Sequence, residues 1–130
     1  MDDSTQHTDS RRRSPRIVLV GPCASGKSTL AARLQAQGLD AHVCGQEHSA
    51  IRNLWQRTAP DVLVALDVDL HTLRSRRSPA WPESLYRTQR ERLAPAFAAA
   101  DMVIDTASND ADAVAHSVLG WLARHRPHAG

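Results

Sequence analysis

Ile17-Val18-Leu19-Val20-Gly21-Pro22-Cys23-Ala24-Ser25-Gly26-Lys27-Ser28-Thr29 is the stretch from which the rest of the chain is read. Its first four residues are a continuous apolar, largely β-branched run, the pattern of a strand buried on both faces in a parallel sheet. Gly21-Pro22 ends that run. From Lys27 to Gln37 the apolar residues Leu30, Ala31 and Leu34 recur at helical spacing, and Gly38 is placed to stop the helix.

Between strand and helix the residues fit G-x-x-x-x-G-K-[ST], the phosphate-binding P-loop or Walker A pattern. Each fixed position has a physical reason. Gly21 and Gly26 let the backbone turn tightly and approach an anion with no Cβ in the way. The loop amides and the helix N-terminus then point at the phosphate. Lys27 brings a full positive charge to the β- and γ-phosphates, and Ser28 offers a hydroxyl to a Mg²⁺ ion held by the same phosphates. Gly21, Pro22, Cys23, Ala24, Ser25, Gly26, Lys27, Ser28 and Thr29 are therefore the expected nucleotide-binding residues. Fifteen of the sixteen basic residues are arginines, and the sole lysine occupies the one position of this pattern that demands it.

The 130 residues are 42% hydrophobic and 23% charged, enough apolar material for one core and not for two. A net charge of +2 does not by itself suggest a polyanionic partner. No apolar run approaches the roughly 18 residues of a membrane span. The polar, acidic opening lacks the features of a secretory signal, and two cysteines are too few for a disulfide scaffold or a four-thiolate zinc site. A cytoplasmic, reduced protein is expected. Residues 1–15 read as a disordered tail, residues 16–126 as a single domain and 127–130 as a second tail. The Arg11-Arg12-Arg13 run reads as solvated, so no nucleic-acid partner is expected.

Further along, Asp40 to Cys44 reads as a short strand, and Ile51, Leu54 and Trp55 mark one face of a short helix before Pro60. Val62 to Leu66 is another buried strand, followed by a helical turn carrying Leu70 and Leu73 that Asp69 caps. Ser78 to Pro82 breaks that helix. Pro82 suits the first turn of a long helix through Leu85, Tyr86, Gln89 and Leu93, which Pro95 should kink or end. Met102 to Ile104 is the last strand, and a helix through Val114, Val118, Trp121 and Leu122 closes the domain. Alternating strands and helices predict an α/β fold, three-layer α/β/α, with a mostly parallel sheet of four to five strands.

Asp61 to Arg77, a strand followed by a short helix rich in arginine, resembles a region of the adenylate kinase and shikimate kinase-like P-loop kinases. Ala100 to Thr106 with the helix after it is similar to their last strand. With the P-loop, the resemblance touches about two thirds of the chain and implies the P-loop NTPase fold. In that group lid arginines neutralise the phosphoryl group in flight, a task suited to bidentate guanidinium groups. The resemblance nominates Arg74, Arg76 and Arg77, with Arg87 and Arg90 behind them. Arg74 and Arg77 are the catalytic candidates, although their spacing is three where the family's pair has four. The chain departs from the group between Gly38 and Pro60, where 21 residues replace two strands and an acceptor-binding arm.

An acid must still orient Mg²⁺ or accept a proton. Glu47 is the first candidate, because it follows a strand whose C-terminal end should open beside the loop. Asp67, ending the next apolar strand, is the second. His48 reads either as a proton shuttle or as an ordinary loop histidine. Trp81 and Tyr86 cover a substrate or cap the core, and Cys23 is a redox brake or a small filler. The expected activity is ATP-dependent phosphotransfer, with Mg²⁺ and ATP, to an unidentified small metabolite or nucleotide. The alternative is a nucleotide-binding sensor with little or no phosphotransfer. With no second lysine for an N-K-x-D base-reading motif, a Ras-like GTPase is not expected.

Overall fold

The computed structural model describes residues 14–125. Most of the expected leading tail, including the arginine run, and all of the expected trailing tail lie outside them. Among the described residues there are four strands and five α-helices. In chain order they are β1 (Arg16–Val20), α1 (Lys27–Ala36), β2 (Asp40–Val43), a 3₁₀ turn (Gln46–His48) and α2 (Leu54–Arg57). Then follow β3 (Val62–Asp67), α3 (Leu70–Arg76), α4 (Glu83–Ala99), β4 (Met102–Asp105) and α5 (Ala111–His125). The sheet order is β2-β1-β3-β4 and every pairing is parallel.

Two separate apolar clusters explain why Ile17–Val20 of β1 and Val62–Leu66 of β3 are apolar at every position. Ile17, Leu19, Val62, Val64 and Leu66 face one way, against Leu30, Ala31 and Leu34 of α1 and Val114, Ala115 and Val118 of α5. Val18, Val20, Leu63 and Ala65 face the other way, against Leu93 and Ala96 of α4, with Leu54, Trp55 and Phe97 at the margin. Helices thus cover both faces of the sheet, compatible with three layers. A strand covered on both sides has no solvent face on which to alternate. No helix among the described residues is long and apolar enough to cross a membrane.

The expected punctuation is largely present. Gly38 adopts φ 82°, its N–H donates to Gln35 O at 2.9 Å, and the Leu39 N–H reaches back to Leu34 O at 3.1 Å, closing α1. Asp69 caps α3 by accepting the Thr72 N–H at 2.7 Å. Pro82 precedes α4 as its cap rather than entering its first turn. One expectation is corrected, and one of the two alternatives for Pro95 is excluded. Ile51 lies outside α2 and is exposed, because only Leu54 and Trp55 reach the sheet. Pro95 does not end α4, which continues to Ala99. The carbonyl that Pro95 leaves without its helical donor belongs to Glu91, and the Arg52 guanidinium donates to it at 3.3 Å.

Two turns depend on ionised carboxylates. The Thr72 N–H holds the Asp69 carboxyl below the ordinary range. The Ser108 hydroxyl, then the Ala107 N–H, does the same for Asp105. Because these folded-state values are depressed, the stability they contribute is complete above the ordinary carboxylate value of about 3.9 and disappears as pH falls through the folded values. We expect Asp105→Asn to flatten the acid side of a plot of urea midpoint against pH and to lower the neutral plateau toward the acid-side value, because the contribution it removes is complete at neutral pH.

Candidate functional site

β1 has β2 on one side and β3 on the other, so the chain runs in opposite directions across the sheet from the two sides of β1. The C-terminal ends of those strands frame a crevice of the kind in which ligands bind in open parallel sheets. The 21–29 loop leaves β1 at this point. Gly21 sits so close to the neighbouring strand that a Cβ there would lie 2.5 Å from Leu66 O and 2.6 Å from Ser25 Oγ. The loop then turns twice through the left-handed region, at Ala24 (φ 63°) and at Gly26 (φ 97°), before α1 begins at Lys27. Ser28 and Thr29 are exposed on the first turn of α1, and Ser25 is buried with its hydroxyl unpaired among the described residues.

The Lys27 side chain is 9% exposed, and its ammonium makes three contacts. It donates to Gly21 O at 2.7 Å and Pro22 O at 3.1 Å, and pairs with Glu47 Oε2 at 2.9 Å. Its three protons and three acceptors match. The pairing places Glu47, the first of the two acids expected at the site, directly beside the loop. Glu47 is itself only 4% exposed, and its second oxygen, Oε1, has no partner among the described residues. His48 Nε2 lies 3.4 Å from Glu47 Oε2 and 4.0 Å from Cys23 Sγ.

Glu47 is held there by its neighbour. The buried Gln46 amide donates to Ile51 O at 2.7 Å and Arg92 O at 3.3 Å, and its oxygen accepts the Trp55 N–H at 3.0 Å. Gln89 does the same for the loop from α4. Its Oε1 accepts the Cys23 N–H at 3.0 Å and its Nε2 donates to Cys23 Sγ at 3.2 Å, with the side chain 1% exposed.

Asp67, the second acid, is instead paired with Arg90, whose guanidinium lies 5.7 Å from the Tyr86 ring centroid and 5.6 Å from that of Phe97. Tyr86 is half-buried and donates its hydroxyl to Val68 O at 2.8 Å, and desolvation raises its pKa. Trp81 is also half-buried, with its Nε1 unpaired among the described residues.

The arginines separate by position. Arg76, one of the three nominated but outside the expected catalytic pair, touches the loop: its Nη1 donates to Ala24 O at 2.7 Å and its Nη2 to Thr106 O at 2.6 Å. Arg77 lines the adjoining cavity, whereas Arg74 turns away and donates its Nε to Trp81 O at 2.9 Å. Arg87 is exposed and engaged with Glu83 one turn away at 2.7 Å. The cavity, of about 410 Å³, runs from the loop (Ala24, Ser25, Gly26) to the β4–α5 turn (Thr106, Asn109, Asp110). Asp105 builds that turn by accepting from Ala107 N at 2.9 Å and Ser108 Oγ at 2.8 Å.

Sequence reasoning missed Gln89, Thr106 and the precedence of Arg76. For Gln89 the signal was available: the helix stripe that runs on through Leu93 and Ala96 begins with an amide. For Thr106, which donates its hydroxyl to Asp67 O at 3.2 Å, nothing in the sequence pattern distinguished it. Compared with known proteins, the chain matches no family and no curated sequence.

Proposed function

We propose that this chain is a small ATP-dependent phosphotransferase of the P-loop NTPase fold, binding nucleotide phosphates on the 21–29 loop. The observation that carries the reading is the Lys27 ammonium, seated on the carbonyls of its own loop at 2.7 and 3.1 Å and countered by a buried carboxylate. A lone cation fixed at the start of a helix, behind a loop with two left-handed residues, suits a polyanion arriving at that helix. The cavity beside the loop is large enough to take a nucleobase, and the Arg77 guanidinium on its wall suits a planar ring or a phosphate.

Ser28 and Glu47 are the residues that would hold Mg²⁺. The exposed Ser28 hydroxyl and the unpartnered Glu47 Oε1 are oxygen ligands of the kind this ion takes. Bound there with the nucleotide, the ion supplies charge neutralisation on the phosphates. Lys27 adds a second positive charge, and Arg76 holds the Ala24 carbonyl side of the loop in place from α3. Glu47 is also the acid placed to receive a proton from an acceptor hydroxyl, once that hydroxyl lies within hydrogen-bond reach. The acceptor is a small metabolite or nucleotide.

A second reading, a nucleotide sensor without turnover, is favoured by one observation. Between β2 and β3 the chain has only a 3₁₀ turn and the four-residue α2, with no arm to hold an acceptor. Calorimetry with MgATP, MgGTP and the diphosphates tests the shared premise, and saturable heat is expected from at least one triphosphate. No heat from any of them sinks both readings. Phosphate transfer to a metabolite panel, measured beside plain hydrolysis, then separates catalyst from sensor.

A further inference from the structure

We propose that Cys23, Glu47 and His48 form a binding site for a thiolate-preferring divalent cation of the zinc class, beside the 21–29 loop, with one coordination position left open. One ligand atom from each residue lies within 4.8 Å of the other two. A tetrahedral site with metal–sulfur bonds of about 2.3 Å and metal–nitrogen and metal–oxygen bonds near 2.1 Å has ligand-to-ligand edges of about 3.4–3.6 Å. The Nε2–Oε2 edge is 3.4 Å and the Sγ–Nε2 edge is 4.0 Å. Closing the site requires the cysteine–histidine edge to shorten by a few tenths of an ångström and the cysteine–glutamate edge, bounded at 4.8 Å, to close to the same range, both by side-chain torsion.

Three further features fit an ion. Glu47 is 4% exposed with one carboxylate oxygen unpartnered, a costly arrangement that a cation relieves. Oε2, the oxygen 3.4 Å from His48 Nε2, is also the one paired with Lys27, so a cation here shares that oxygen with the ammonium or is met by Oε1 after a turn of the carboxylate. Gln89 donates to Cys23 Sγ at 3.2 Å while accepting the Cys23 N–H, fixing the sulfur's direction as an outer-shell partner does for a metal ligand. The third ligand, His48, has a side chain 65% exposed, which gives the ion an open route in from solvent.

Binding breaks the Cys23 S–H bond, forms a metal–sulfur bond and releases one proton to solvent, with His48 ligating as the neutral imidazole through Nε2. A sulfur, nitrogen and oxygen set selects a borderline or soft ion over Mg²⁺, which keeps to oxygen. The site therefore differs from the proposed Mg²⁺–nucleotide site, although both draw on Glu47. It does not rest on phosphotransfer and is tested with no nucleotide present.

The probe is Co²⁺ alone, titrated into the reduced full-length chain. Thiolate-to-cobalt charge-transfer absorption with strong visible bands is expected, bleached by added Zn²⁺. The chain's two cysteines are Cys23 and Cys44. Cys23→Ser should abolish the charge-transfer band and Cys44→Ser should keep it. His48→Ala, at an exposed position that leaves folding intact, should weaken Co²⁺ at least tenfold. Absence of the band in the parent chain overturns the proposal, as does its survival in Cys23→Ser or unchanged affinity in His48→Ala.

Discussion

Lys27→Met should lower the stability of the folded chain by about 3–5 kcal/mol, the usual cost of removing one partner of a buried ion pair. Both side chains are out of water, with Lys27 9% and Glu47 4% exposed. Without the ammonium, the Glu47 carboxylate keeps only the His48 ring, 3.4 Å from its Oε2. The carbonyls of Gly21 and Pro22 lose a donor as well. Replacing both charges, Lys27→Met with Glu47→Gln, should recover most of that loss, because a buried pair contributes little net stability over neutral residues of similar shape. Urea unfolding of the two singles and the double measures the coupling. A double variant as unstable as Lys27→Met alone would show that the pair is not what holds this corner. On the proposed function, Lys27→Met and the double variant both lose triphosphate binding. Stability and affinity therefore part company in the double variant.

Gly21→Ala is the second large effect. Its new methyl group would meet Leu66 O, a backbone atom, at 2.5 Å and Ser25 Oγ at 2.6 Å. Val20 pairs with Ala65, so the next step along β1 presses on Leu66, and relief requires β1 and β3 to separate where the loop departs. Overpacking of this kind costs about 1–3 kcal/mol, and a rigid carbonyl as the obstacle puts the expectation at the upper end. Gly45→Ala is the control, since its nearest atom, His48 Cδ2, stands 3.9 Å away at ordinary contact distance. Equal urea midpoints for the two alanine variants would refute the argument from close approach.

How much could be read from the chain depended on whether a feature was local. β1, α1 and the Gly38 stop come from short-range patterns that tertiary packing reinforces. The same holds for the cap at Asp69, where side chain and partner are three residues apart. Glu47 could be placed beside the loop because parallel topology brings the C-terminal ends of adjacent strands together. Which arginine reaches the loop is a different matter, because it turns on helix phase over a few residues. Leu73 is buried, and Arg76 and Arg77, three and four residues on, share its face, while Arg74 does not. That α4 continues past Pro95 could not be read locally, because the donor that serves the freed carbonyl, Arg52, is 39 residues away from it.

Gln46 has a consequence for how the site keeps its shape. The stretch from Gln46 to Arg57 has no fully buried apolar side chain, and only Leu54 and Trp55 pack, partly buried, against the core. One carboxamide ties it to α4 and to its own downstream backbone, with both amide protons donated and the oxygen accepting once. A segment fastened by directional bonds tolerates one geometry and resists sliding, where a greasy contact would let it creep. The acid next to the sole lysine thus has its address written in amide chemistry from the opposite side of the sheet.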